Sequence, residues 1–105
     1  DANEIALRSL LHCASPAKLL NVTGPETLSV KWLAEQFGLS FGKEPHFIHQ
    51  AGDTALLSNA SESHRLFGYP KVTIREIIDI TVLWVKEGGA TFNKATHFQE
   101  REGKF

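Results

Sequence analysis

Two histidines lie three residues apart in the short stretch HFIH, residues 46–49, and histidine is a common metal ligand. We expect residues 45–50 to form a strand, and side chains alternate between the two faces of a strand. His46 and His49 would therefore point in opposite directions. No Cys pair or third cluster of ligands completes a site in the sequence. We predict no metal site.

Other residues that could do chemistry occur without the motif that would position them. The stretch FGKE, residues 41–44, contains Gly-Lys but lacks the upstream glycine and the Ser/Thr of a phosphate-binding loop. No glycine fingerprint for a dinucleotide follows a predicted strand. Ser, His and Asp are present, but no nucleophile-elbow motif places them together. We therefore predict no catalytic residue in this chain.

Composition narrows the class of protein. A chain of 105 residues is one small domain, and its net charge of −1, with Lys and Arg scattered, argues against a nucleic-acid partner. Its apolar runs are too short to span a membrane. The single cysteine, Cys13, allows no disulfide, which fits a cytoplasmic location. The sequence contains no Met, so we expect Asp1 to lie inside a longer protein.

Apolar spacing predicts four helices, over residues 3–14, 29–41, 59–67 and 73–87. Ser29 is the expected N-cap of the second helix, and Gly42 is its expected stop. The pairs Asn59–Glu62 and Thr73–Glu76 have the spacing of capping boxes. The expected apolar faces are, in the first helix, Ala6, Leu10, Cys13 and Ala14; in the second, Val30, Leu33, Ala34, Phe37 and Phe41; and in the last, Ile74, Ile77, Ile78, Trp84 and Val85.

Two short apolar runs, over residues 18–22 and 45–50, read as strands, and a third extended run follows the loop in residues 51–58. We therefore predict an α/β fold, a small mixed layer of two or three short strands with about four helices. The face of the last helix should bury against the strands.

Two groups of weak motifs follow one another along the chain. The first consists of Asn21, Gly24, Ser29, Leu33 and Ala34, and the second consists of Asn59, Ser61, Leu66, Gly68 and Tyr69-Pro70, with Phe67 standing between Leu66 and Gly68. Together with the long helix at 73–87, they resemble the C-terminal, substrate-binding portion of NAD-dependent epimerase/dehydratase proteins. These are the extended short-chain dehydrogenase/reductases, which include the nucleotide-sugar epimerases. The resemblance covers residues 1–89, and residues 90–105 read as an irregular tail.

The resemblance implies an NAD(P)-dependent parent enzyme acting on a sugar nucleotide or a related polyol or carbonyl substrate. In this family the glycine-rich cofactor turn and the Tyr-x-x-x-Lys catalytic pair lie N-terminal to the matching region. The fragment is then not catalytic alone and holds no cofactor, while the parent uses NAD or NADP. The partners implied are a missing N-terminal Rossmann domain, the small-molecule substrate and, in the parent, a second copy in a homodimer.

The resemblance also implies a site in the loop after the second strand. Sugar-nucleotide epimerases carry an Arg-x-x-Asp element there, which contacts the nucleotide end of the substrate. The matching run here is QAGD, with Asp53 retained and Gln50 in place of the arginine. A Gln cannot clamp a phosphate through charged, bidentate hydrogen bonds, which leaves a smaller or less anionic substrate open. The implied substrate-binding residues are His49, Gln50 and Asp53; the alternative is a polar loop with a turn-forming Asp.

A second interpretation stays open at this point. The chain could be an independent small α/β module that binds or interacts with a partner and has no enzymatic role. A coding sequence with a glycine-rich strand–helix start upstream would favour the enzyme fragment over this module.

Overall fold

The computed structural model describes residues 1–48 and 50–95. In that part of the chain, four α-helices are joined by irregular segments: α1 Ala2–Ser9, α2 Val30–Phe41, α3 Ser61–Phe67 and α4 Ile74–Lys86. A 3₁₀ turn, Leu10–His12, continues α1. The four predicted helices are thus present, and the first is shorter than expected.

The prediction of an α/β fold is wrong, because the described residues contain no strand. The predicted strand at 18–22 and the described part of the one at 45–50 are irregular, as are residues 51–58. Leu19 and Ile48 are 92% and 75% exposed. A strand exists through hydrogen bonds to a neighbouring strand, and a short apolar run does not supply that neighbour.

The chain divides into two compact units. The first consists of Asp1–Leu28 and Leu57–Ile77, and the second of Ser29–Leu56 and Ile78–Phe105. Residues 90–95 are irregular, and the rest of the predicted tail lies outside the described residues.

The first unit is built around α3. Ala60 and Ser63 are buried, and the Ser63 hydroxyl donates a hydrogen bond to the Ala60 carbonyl oxygen at 2.9 Å. The apolar face predicted for the first helix is wrong: Ala6, Leu10, Cys13 and Ala14 are all exposed, whereas Ile5 and Ser9 are half-buried. Helical spacing identifies a stripe of apolar residues, but the contacts of this short helix cover another side of the helix, the one with Ile5 and Ser9.

In the second unit, α2 begins and ends as the sequence predicts. The Ser29 hydroxyl accepts a hydrogen bond from the Trp32 N–H at 3.3 Å, and Gly42 ends the helix in the left-handed region with φ of 63°. A Cβ on Gly38 would lie 2.6 Å from the Lys43 carbonyl oxygen and 2.8 Å from Pro45 Cδ. Gly38 therefore lets the chain that follows α2 fold back closely over the helix.

The predicted apolar stripe of α2 is partly correct. Its members Leu33, Ala34, Phe37 and Phe41 are half-buried, but Val30 at the start of the helix is exposed.

The apolar face predicted for α4 is partly correct. Of its members, Ile78 is buried and Ile74 is half-buried, whereas Ile77, Trp84 and Val85 are all about half exposed. Val82, which the prediction left out, is buried one turn after Ile78. Only one side of the apolar stripe is therefore buried, and the contacts of the helix, not its period, select that side.

The C-terminal end of α4 is closed by the two glycines that follow it. The N–H groups of Gly88 and Gly89 donate to the carbonyl oxygens of Val85 and Trp84 at 3.1 and 2.8 Å, which is the Schellman arrangement. The Trp84 ring folds back over Gly89, and its Nε1 donates to the Ala90 carbonyl oxygen at 3.2 Å.

Candidate functional site

The loop predicted to bind substrate is only partly described. Gln50 and Asp53 are exposed residues of the irregular segment that follows α2, with Asp53 at a bend, and His49 lies outside the described residues. Neither Gln50 nor Asp53 lines the cavity described below. The substrate-binding role of these three residues therefore stays a prediction.

Polar side chains in the first unit instead gather around α3. The Asn21 side-chain amide donates to the Asn59 carbonyl oxygen at 3.3 Å. The Asn59 side-chain oxygen in turn accepts from the Ser61 N–H at 3.0 Å, at the start of α3. Asn21 thus ties the irregular segment before Gly24 to Asn59, which lies just before α3.

Two further contacts hold the same segment against α3. His64 Nε2 lies 3.1 Å from the Thr23 carbonyl oxygen, and the His64 ring packs on the Tyr69 ring with 4.7 Å between centroids. Lys18 forms an ion pair with Glu62 at 2.6 Å. The hydrogen bond from Lys18, together with its charge, lowers the pKa of the Glu62 carboxyl.

Helix α1 is joined to α3 and to the segment that follows it through charged groups. Arg8 donates to the Phe67 carbonyl oxygen at 3.0 Å, and Glu4 pairs with Arg8 at 3.3 Å and with Lys71 at 3.1 Å. The hydrogen bond and the charge of Lys71 lower the pKa of the Glu4 carboxyl. The Asp1 carboxylate accepts from the backbone N–H groups of Lys71 and Val72 at 3.2 and 2.9 Å.

These groups surround a surface cavity of about 20 Å³, which is room for roughly one water molecule. Its lining comes from α1, the end of α3 and the residues after it: Asp1, Glu4, Ile5, Arg8, Phe67, Gly68, Tyr69, Pro70 and Lys71. The cavity is far smaller than the several hundred Å³ of a typical ligand pocket.

The polar groups around α3 are suited to holding segments of the chain together, not to catalysis. A general base needs a pKa near the operating pH, but Glu4 and Glu62 are held in their charged forms by cations. Their lowered pKa values make them weak bases. The geometry therefore supports a structural role for this cluster, in which it fixes α1 and the segment at 18–23 beside α3.

Two other kinds of feature are absent from residues 1–48 and 50–95. No group of three or more His, Cys, Asp or Glu side chains in that part of the chain is arranged to hold a metal ion. No helix there is both long and apolar enough to cross a membrane.

Sequence reasoning missed the charged residues of this cluster. Glu4 and Arg8 are four residues apart on a helix, a spacing that predicts an ion pair and could have been noticed. Lys71 is 67 residues from its partner Glu4, and no local pattern indicates that contact.

Comparison of this chain with protein-family models, with characterised proteins and with solved structures finds no match.

Proposed function

We propose that this chain is the substrate-binding portion of an NAD(P)-dependent epimerase/dehydratase of the extended short-chain dehydrogenase/reductase family. Its substrate is a sugar nucleotide or a related polyol or carbonyl compound. The chain binds and positions that substrate, while hydride transfer belongs to NAD or NADP and to a Tyr-Lys pair on a Rossmann domain. The chain alone is not catalytic.

The observation that carries the proposal is the hydrogen bond from the Asn21 side chain to the Asn59 carbonyl oxygen at 3.3 Å. Asn21 belongs to the first family-like motif and Asn59 to the second, and 38 residues separate them in the sequence. The Asn59 side chain also accepts from the Ser61 N–H, at the first residue of α3. The hydrogen bond gives the two motifs a physical reason to occur together, because it joins a residue of the first motif to a residue of the second.

The exposure of apolar side chains also supports the proposal. Among the described residues, three apolar side chains are buried, those of Ala60, Ile78 and Val82. Leu7, Leu10 and Leu11, spaced as one side of α1 and its 3₁₀ turn, are all at least 68% exposed. Contiguous exposed apolar surface marks an interaction site. A Rossmann domain packed on such surface would remove it from water.

The proposed substrate contacts are those of the loop with His49, Gln50 and Asp53. The side-chain oxygens of Asp53 accept hydrogen bonds from substrate hydroxyls, and Gln50 offers a neutral donor and acceptor. Because Gln50 stands where an arginine would clamp a diphosphate, the proposal favours a substrate with less negative charge at that end.

The proposal also includes a cytoplasmic location, because the only cysteine, Cys13, is a free thiol. The parent protein can form a homodimer, and its cofactor is NAD or NADP.

The test compares this 105-residue chain with the full-length protein encoded by its gene, using calorimetric titration with NADH and with NADPH. We expect the full-length protein to bind one of the two cofactors and this chain to bind neither. A Tyr→Phe change in the Tyr-x-x-x-Lys pair of the full-length protein serves as the control, since it should retain cofactor binding and lose turnover. Micromolar cofactor binding by this chain, or none by the full-length protein, would overturn the proposal.

A further inference from the structure

The attachment of α1 within the first unit relies on charge. The Asp1 carboxylate accepts from two backbone N–H groups, those of Lys71 and Val72. Glu4 pairs with Lys71 Nζ at 3.1 Å. The Arg8 guanidinium donates to the Phe67 carbonyl oxygen at 3.0 Å, and its central carbon lies 5.1 Å from the centre of the Phe67 ring.

Apolar burial adds little to this attachment. No residue of α1 is buried, Ile5 and Ser9 are half-buried, and Leu7 is 69% exposed. An isolated helix of 8 residues is too short to persist in water. The stability of α1 therefore depends on its contacts with Phe67, Lys71 and Val72.

Helix α3 is held differently. Ala60, which immediately precedes it, and Ser63 within it are 5% and 1% exposed. The Ser63 hydroxyl is satisfied by the Ala60 carbonyl oxygen at 2.9 Å. This bond joins two residues of the same segment and involves no group of α1.

We infer that α1 is a charge-held latch, which opens as a unit and releases the Phe67 carbonyl oxygen and the N–H groups of Lys71 and Val72 while α3 stays folded. The inference does not depend on the proposed function. Local opening with a lower free energy than global unfolding is common for elements that have few buried apolar contacts.

The groups that face Glu4 set the conditions under which the latch opens. Arg8 faces it from its own helix and Lys71 from the segment after α3, and Asp1 and Tyr69 line the same cavity. Because Lys71 and Arg8 lower the pKa of Glu4, protonation weakens the latch only as the pH falls below the ordinary value of 4.5. Near neutral pH, the latch is instead opened by added salt, which screens the ion pairs, or by replacement of Arg8 or Lys71 with a neutral residue.

The test is amide hydrogen exchange, followed residue by residue in the whole 105-residue chain near neutral pH. In Lys71→Met and in Arg8→Met, the amides of Ile5–Ser9 should exchange about two- to fivefold faster, the change that an exposed ion pair produces. The amides of His64 and Gly68, bonded to Ala60 and His64 at the two ends of α3, should change less than about 1.5-fold. The matched control is Lys31→Met, which removes an ion pair within α2 at 4.0 Å and should leave α1 unchanged.

Several results would overturn the latch. One is acceleration of α1 and α3 by the same factor in either variant. Unchanged α1 exchange in both variants would also refute it, as would an equal effect of Lys31→Met. Lack of protection at His64 and Gly68 in the unaltered chain would refute it as well, because a latch requires a folded unit beneath it.

Discussion

At Gly89, one methyl group is enough to test how the Trp84 ring is packed. A Cβ at this position would lie 2.1–2.3 Å from three atoms of the ring. The φ of Gly89 is not in the left-handed region, so an alanine there adds no backbone strain of its own. The substitution therefore acts through the collision with the ring.

We expect Gly89→Ala to lower the free energy of unfolding by about 1–3 kcal/mol, the usual cost of overpacking, and to displace the Trp84 ring from its hydrogen bond with Ala90. Urea unfolding and tryptophan fluorescence in a Trp32→Phe background measure both effects. The control is a double mutant, since in a Trp84→Ala background the same alanine should cost less than about 0.5 kcal/mol. Equal costs in the two backgrounds would show that the ring is not against Gly89.

If the proposed function holds, the predicted substrate loop can be tested by steady-state kinetics of the full-length protein. Asp53→Ala should raise KM with a smaller effect on kcat, because it removes binding energy rather than a reacting group. Gln50→Arg should lower KM for diphosphate sugars by supplying the bidentate cation that this loop lacks. Unchanged KM and kcat in both variants would show that the loop is a structural turn without a role in substrate binding.

At the scale of one element, the start of α4 is a complete capping box. The Thr73 N–H donates to Glu76 Oε2 at 2.7 Å, and the Glu76 N–H donates to Thr73 Oγ1 at 3.3 Å. The Thr73 hydroxyl also donates to the Glu76 carboxylate at 2.8 Å. These bonds, led by the one from the backbone N–H, lower the pKa of the Glu76 carboxyl.

The pKa of Glu76 is lowered in the folded state. Ionised Glu76 therefore stabilises the fold at pH values above the ordinary pKa of 4.5, and this stabilisation is lost as the pH falls below it. Thr73→Ala should raise the pKa of Glu76 part of the way back, since the backbone N–H bond remains, and should cost about 1 kcal/mol of stability. An NMR titration of the Glu76 carboxyl and urea unfolding provide the two measurements. As a control, Thr73→Ser keeps the hydroxyl and should change neither the pKa of Glu76 nor the free energy of unfolding. An unchanged pKa of Glu76 in Thr73→Ala would contradict the capping role of Thr73.

The start of α3 has the same sequence spacing but a different outcome. Ala60 is the N-cap residue of α3 and makes no side-chain capping bond, so the predicted capping box is wrong here; Asn59 instead accepts from the Ser61 N–H just before the helix. Glu62, however, pairs with Lys18 and Arg65 at 2.6 and 3.6 Å instead of reaching back to Asn59. Lys18, which is remote in sequence but close in space, binds the Glu62 carboxylate instead. The sequence of α3 and its neighbouring residues does not indicate that contact.

At the scale of the whole molecule, the small number of buried apolar side chains limits stability. Fully burying a large apolar side chain contributes about 1.5–3 kcal/mol, and Ile78 and Val82 are the two large ones buried among the described residues. We expect the isolated chain to have a free energy of unfolding below about 5 kcal/mol, under the usual range for domains. Urea unfolding measures it, and a value within that usual range or above it would mean that the exposed apolar surface needs no covering partner.

The sequence by itself determined the four helices and most of their caps, such as Ser29 and the Thr73–Glu76 box. These features depend on bonds between residues at most four apart, so the information lies within each segment. It predicted strands that the described residues do not contain, and it identified only part of the buried side of α4. A strand needs a distant neighbour, and the residues that cover one side of a helix also come from elsewhere in the chain. Only the tertiary structure decided that Lys18 meets Glu62 and Lys71 meets Glu4, since each pair joins remote parts of the chain that no local pattern relates.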